Sequence, residues 1–179
     1  MSQLRAHAVS ATGNALDSYR LDEVDFISAT VGRILLLWGI VEDRLNGLTL
    51  VLIHPLNSPP KNKGVPPQFS AKLELLARCY RENSRMASIA DEANGLLERL
   101  KPLHERRNII VHGHYQGVGP NNHHVFTIYR AGRAERHGWR WEYFTASDLD
   151  GLATEIMSIE REVESLVKRT HRLSAQQSD

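Results

Sequence analysis

Three side chains within six residues set the chemical question. In the stretch HERRNIIVHGHY, residues 104–115, Arg107 is followed by Asn108, and His112 closes an apolar run of Ile109, Ile110 and Val111. On a helix turning about 100° per residue, Asn108 and His112 lie four apart and share a face. Arg107 and His112 lie five apart, about 140° around the axis, a gap that a long arginine side chain can bridge. The apolar run would anchor the turn to a core and hold the polar trio on a packed element.

His112 falls in the last turn before Gly113. A helix C-terminus favours the imidazolium and a nearby arginine opposes it. Balanced near neutrality, a histidine can both accept and donate a proton. Arg107 offers a permanent, planar, multi-donor cation suited to a phosphate or a pentavalent phosphorus transition state. Asn108 can orient the histidine or an attacking hydroxyl. Such a set can cleave RNA without a metal. The histidine takes the proton of a 2′-hydroxyl, which attacks the adjacent phosphate; DNA lacks that hydroxyl and would resist. The same spacing also fits a plain capped helix end. There Arg107 pairs with Glu42 or Glu105, Asn108 satisfies backbone, and His112 bonds a carbonyl.

Other residues are candidates for support. Glu42 follows Trp38 by one turn and could position Arg107 across a bundle, or simply be solvated. Arg106 offers an alternative to Arg107, and His114 adjoins the trio. Farther on, Arg130, Arg133, Arg136 and Arg140, with His137, make a basic hairpin tip, and Trp139, Trp141 and Tyr143 alternate on one strand face. Basic groups beside aromatics suit single-stranded RNA, although rings of this kind are expected to pack against the bundle. Five histidines lie between 104 and 124 without a carboxylate or cysteine at ligand spacing, so neither metal nor cofactor is expected.

Those residues need elements to hold them. Val24, Ile27, Val31, Ile34, Trp38, Val41, Leu45, Leu48 and Leu52 follow a 3,4 spacing, which predicts one long helix of roughly 30 residues. Leu35, Leu36, Leu37 and Ile40 widen its apolar surface, as in a central helix or half of a dimer interface. The run HPLNSPPKNKGVPPQ, with five prolines, predicts an exposed loop. Ser70 is the expected N-cap of a second helix through Tyr80. After a break at RENSR, a third helical segment from about Ser84 carries Pro102, as a kink or as a new start, and ends at Gly113. GVGPNN reads as a turn, and HHVFTIYR and GWRWEYF as two strands. A capping box at Ser147 and Asp150 opens a last helix, whose seam runs from Leu149 to Leu166 and which ends near Arg172.

The expected fold is mainly α: an antiparallel bundle of four to five helices with one β-hairpin, about residues 123–145, before the last helix. Residues 1–20 read as a flexible arm, 21–173 as a single domain, and 174–179 as a polar tail. A net charge of +1 gives no global field for nucleic acid, so such binding would need a local basic patch. The lone Cys79 excludes an internal disulfide and fits a reducing cytoplasm. No signal peptide is evident, and Glu42, Asp43 and Arg44 interrupt the most apolar stretch, so no membrane span is expected.

An arginine, a polar residue, three apolar residues and a histidine at the end of the third helical segment resembles the HEPN superfamily. WGIVEDRL in the first helix and the RNIIVHG ending are similar to small bacterial HEPN-like proteins. The resemblance covers roughly residues 22–172, and its sharp part is six residues long. It implies Arg107, Asn108 and His112 as the catalytic residues of a ribonuclease, and a homodimer whose two motifs line one cleft. It also implies a toxin or defence role, with a cognate antitoxin or other partner protein. The hairpin is an addition to the minimal HEPN bundle. Because fold-level likeness does not carry activity, two functions fit: a metal-independent endoribonuclease, and a non-catalytic module binding RNA, a nucleotide or a protein.

Overall fold

The computed structural model describes residues 21–53, 64–130 and 138–175. The N-terminal arm, most of the proline loop, the sheet tip with Arg133, Arg136 and His137, and the last four residues of the tail lie outside the described residues.

Helix α1, Leu21–Ile53, is one uninterrupted element. Asp22 and Glu23 in its first turn complement the helix dipole. Ile34, Trp38, Val41, Leu45, Leu48 and Leu52 form its fully buried stripe. By length and composition α1 could cross a membrane; here that stripe packs chiefly against helix α4, Ala146–Ala175. The facing α4 seam of Leu149, Leu152, Ile156, Ile159, Val163 and Leu166 is buried as well. Charged pairs line the rim. Arg44 meets Glu160 and, at 3.3 Å, Glu164, while Arg33 meets Asp150 at 2.9 Å.

Helix α2, Phe69–Glu82, starts earlier than a Ser70 cap would set it. Gln68 is the last extended residue and gives no side-chain cap, so Ser70 sits inside the first turn. Buried Tyr80 bonds Thr170 of α4 at 2.8 Å. Asn83 then accepts from the Arg85 N–H at 3.1 Å and opens a single 3₁₀ turn, Ser84–Met86. Helix α3, Ala90–His112, therefore begins six residues after Ser84, and it runs through Pro102 as one element.

The inserted hairpin is a three-stranded antiparallel sheet of order β1-β2-β3. Strands β2, His124–Arg130, and β3, Gly138–Phe144, are the two read from alternation. Strand β1, His114–Val118, was hidden in what reads as a cap and a turn. A register irregularity between Tyr115 and Gly117 breaks its alternation, and Gly117 has φ 98°. The turn proper is a 3₁₀ segment, Pro120–Asn122. The capping box of α4 is also shifted by two residues. The Thr145 hydroxyl accepts from the Asp148 N–H at 3.0 Å, and Asp148 accepts from the Thr145 N–H at 2.8 Å. Both frames satisfy the same sequence pattern; Asp150 is engaged by Arg33 instead.

Candidate functional site

Leu103, Ile109 and Ile110 bury one side of the last turns of α3. The other side carries His104, Asn108 and His112 at successive four-residue steps, with Arg107 beside them. Arg107 Nη1 donates to Asn108 Oδ1 at 2.9 Å and reaches His112 Nε2 at 3.3 Å. The structure thus brings the three motif residues together. A guanidinium has donors only, so in this contact His112 Nε2 is the acceptor. His112 is exposed, whereas Arg107 and Asn108 are half-buried.

The network runs inward. With Asn108 Oδ1 taken by arginine, its amide nitrogen donates to His104 Nε2 at 2.9 Å. His104 stacks on Phe69, ring centroids 4.2 Å apart, and lies 5.6 Å from the Trp38 ring. Burial lowers its pKa below the ordinary 6.5 and the Arg107 charge adds to this, while Glu42 pulls the other way. His104 Nδ1 and Arg107 Nε are buried polar atoms without a hydrogen-bond partner among the described residues.

Glu42 accepts from the Trp38 indole N–H at 2.8 Å. That bond lies within α1 rather than reaching across to Arg107. Its charge still acts on His104 and on Lys72 of α2. Lys72 is 6% exposed, and desolvation lowers its pKa despite Glu42. His104 is thus a member of the cluster that the sequence reading missed, and Lys72 is a buried cation acted on by the same Glu42. His104 had a signal, the four-residue step to Asn108; the burial of Lys72 is decided by tertiary packing alone.

The remaining candidates go elsewhere. Arg106 points to α4, bonding Glu155 at 3.2 Å, so it does not join Arg107. His114 starts β1 and is exposed. Arg140 pairs with Glu142. Arg130 ends β2, with its side chain outside the described residues. The strand aromatics contradict the expectation of packing. Trp139, Trp141 and Tyr143 are 63%, 54% and 56% exposed, and Tyr129 is 55% exposed. The sheet instead turns His124, Phe126 and Phe144 inward. Among the described residues no three His, Cys, Asp or Glu side chains converge as metal ligands would.

The Gly113 backbone is extended, φ −73° and ψ 151°, so the left-handed cap that glycine usually supplies is not its role. Its N–H bonds the Ile109 carbonyl at 2.8 Å, and a Cβ there would lie 2.2 Å from that same oxygen. Only glycine lets the chain leave the helix this tightly and enter β1. No protein-family model, curated protein or solved structure matches this chain.

Proposed function

We propose that the protein is a metal-independent endoribonuclease of HEPN-like type, acting as a cytoplasmic homodimer. The observation that carries this reading is the joining of Arg107 Nη1 to both Asn108 and the exposed His112 Nε2. A phosphate entering beside them takes over the guanidinium donor and frees Nε2. Nε2 then removes the proton of the 2′-hydroxyl. The 2′-oxygen forms its bond to phosphorus, the bond to the 5′-oxygen breaks, and that oxygen takes up a proton from solvent. The products are a 2′,3′-cyclic phosphate and a free 5′-hydroxyl. Arg107 stabilises the charge on phosphorus, and Asn108 keeps the guanidinium aimed.

The dimer is supported by a second seam on α1. Leu36, Ile40, Asp43, Gly47 and Leu50 repeat the 3,4 spacing on a side that α4 does not cover, and Leu36 is 74% exposed. Sedimentation should give a dimer for wild type and a monomer for Leu36→Glu. The activity test is a mixed-sequence RNA in EDTA, with wild type and His112→Ala side by side. Cleavage by wild type alone, with cyclic-phosphate ends, is the expected result. Intact RNA with both folded proteins would reject the reading.

A non-catalytic binding module is the second reading. Its support is that both Arg107 bonds stay within its own helix end, as in a self-contained cap. In that case His112→Ala changes stability or partner binding and no RNA is cut.

A further inference from the structure

Two tryptophans and two tyrosines stand more than half exposed on the same side of the small sheet. Their placement follows from register. Tyr129 faces Trp139, Thr127 faces Trp141, and Val125 faces Tyr143 across β2 and β3. Directly opposed residues share a face, so all six belong to the outer side, and successive rings on β3 stand about 6.7 Å apart. The floor between the rings is small: Val125 and Thr127 are buried. An uncovered aromatic surface of this kind marks a contact site.

The identity of the contact follows from what accompanies the rings. The large exposed apolar groups on this face are all aromatic, flat and half-wet. Around them stand groups able to bond base edges: Gln116, whose amide bonds Thr127 at 3.0 Å, and His123, edge-on to Tyr143. Glu142, the acidic residue of β3, belongs to the opposite face, where it opposes Phe126 and pairs with Arg140. No carboxylate therefore stands among the described residues of the aromatic face. A strand with exposed bases meets stacking surfaces there.

The face is joined to the candidate site through the chain. His114, two residues beyond His112, faces Thr127, which faces Trp141, so one row crosses the sheet from the motif to the rings. The geometry points to a base-stacking platform for single-stranded RNA, which lays the strand toward His112. The guiding role rests on the ribonuclease reading; the binding role stands without it.

The test uses a fluorescein-labelled mixed-sequence 16-nucleotide RNA with the full-length His112→Ala protein, which keeps the strand whole. Anisotropy should rise on binding, and tryptophan fluorescence should be quenched. Trp139→Ala and Trp141→Ala should each weaken binding about tenfold, within the range known for stacked bases. Trp141→Leu should do the same, because it keeps apolar bulk and loses the flat ring. Circular dichroism controls for folding. An RNA duplex should not compete. Absence of binding, equal competition by duplex, or full affinity in Trp141→Leu would each overturn the platform. So would a change of oligomeric state in the tryptophan variants with RNA affinity intact, which would assign the face to a second protein chain. Tryptophan-dependent binding by a wild type that cuts no RNA would keep the platform and reject only the ribonuclease reading.

Discussion

The α1–α4 interface and the end of α3 use the same helical periodicity to opposite ends. Along α1 and α4, the 3,4 positions are apolar and buried, and charge stays at the rim. At the end of α3, one side is anchored by Leu103, Ile109 and Ile110, and the four-residue steps carry His104, Asn108 and His112. The first region buries a few polar atoms as well: Thr49 bonds the Leu45 carbonyl, Thr170 bonds Tyr80, and Asn46 Oδ1 and Ser174 Oγ have no partner among the described residues. The second keeps a buried imidazole nitrogen and a buried guanidinium nitrogen without partners. A bundle gains nothing from such atoms, because each unsatisfied buried polar group costs about 1–3 kcal/mol. The seam holds a large buried apolar surface, and the end of α3 holds the linked polar cluster on which the proposed ribonuclease reading rests.

Substitutions should separate the two. The largest stability effect is expected in the seam. Leu45→Ala empties a fully buried site, and thermal or denaturant unfolding should show a loss of about 2–5 kcal/mol. RNA cleavage per folded molecule should stay unchanged. If activity fell in proportion to something other than the folded fraction, the separation would fail.

The next effect sharpens the role of the helix exit. Gly113→Ala drives a Cβ into the Ile109 carbonyl. The expected loss is about 1–3 kcal/mol, as for other overpacked sites, with cleavage reduced further because His112 is displaced. Gly151→Ala is the contrast. It lies inside α4, a Cβ there meets nothing, and the chain should gain about 0.4–1 kcal/mol. Equal behaviour of the two alanine variants would show that Gly113 is merely a flexible joint.

A smaller effect concerns pH. His104 and His124 both have pKa values lowered from 6.5, in each case mainly by burial. Below 6.5 the unfolded chain therefore binds protons that the folded chain does not. Stability attached to these residues is whole above pH 6.5 and falls as pH drops through the window beneath it. Melting temperatures measured from pH 7.5 to 5 should decline, and the decline should be shallower in His124→Gln. A flat profile would show that neither ring is held neutral.

The smallest effect settles which arginine belongs to the site. Arg106 makes an exposed ion pair with Glu155. Arg106→Ala should change stability by less than about 1 kcal/mol and leave cleavage intact, whereas Arg107→Ala should lose cleavage. Parity between them would move the motif by one residue.

Much of this was readable from residues, and the failures have physical reasons. The seams of α1 and α4 and the alternation of β2 and β3 fixed four of the elements, because periodicity reports burial directly. Strand β1 escaped because its irregular register removes the alternation that would mark it. The facing of the sheet was misjudged because alternation names two faces without saying which is inside. The larger rings, Trp139 and Trp141, went out, and Phe126 and Phe144 went in. The trio of Arg107, Asn108 and His112 was legible because the contacts among the three lie within six residues. Lys72 was not, because only the packing of α2 buries its ammonium in the field of Glu42.

The most direct test of the ribonuclease reading is a DNA oligonucleotide holding a single ribonucleotide, with randomised bases around it, incubated with the protein in EDTA. The expected result is one cut immediately 3′ of the ribose, leaving a cyclic phosphate, with an all-DNA strand untouched and His112→Ala inert. An uncut strand, or a cut that spreads to the all-DNA control, would contradict 2′-hydroxyl attack at the Arg107–His112 pair.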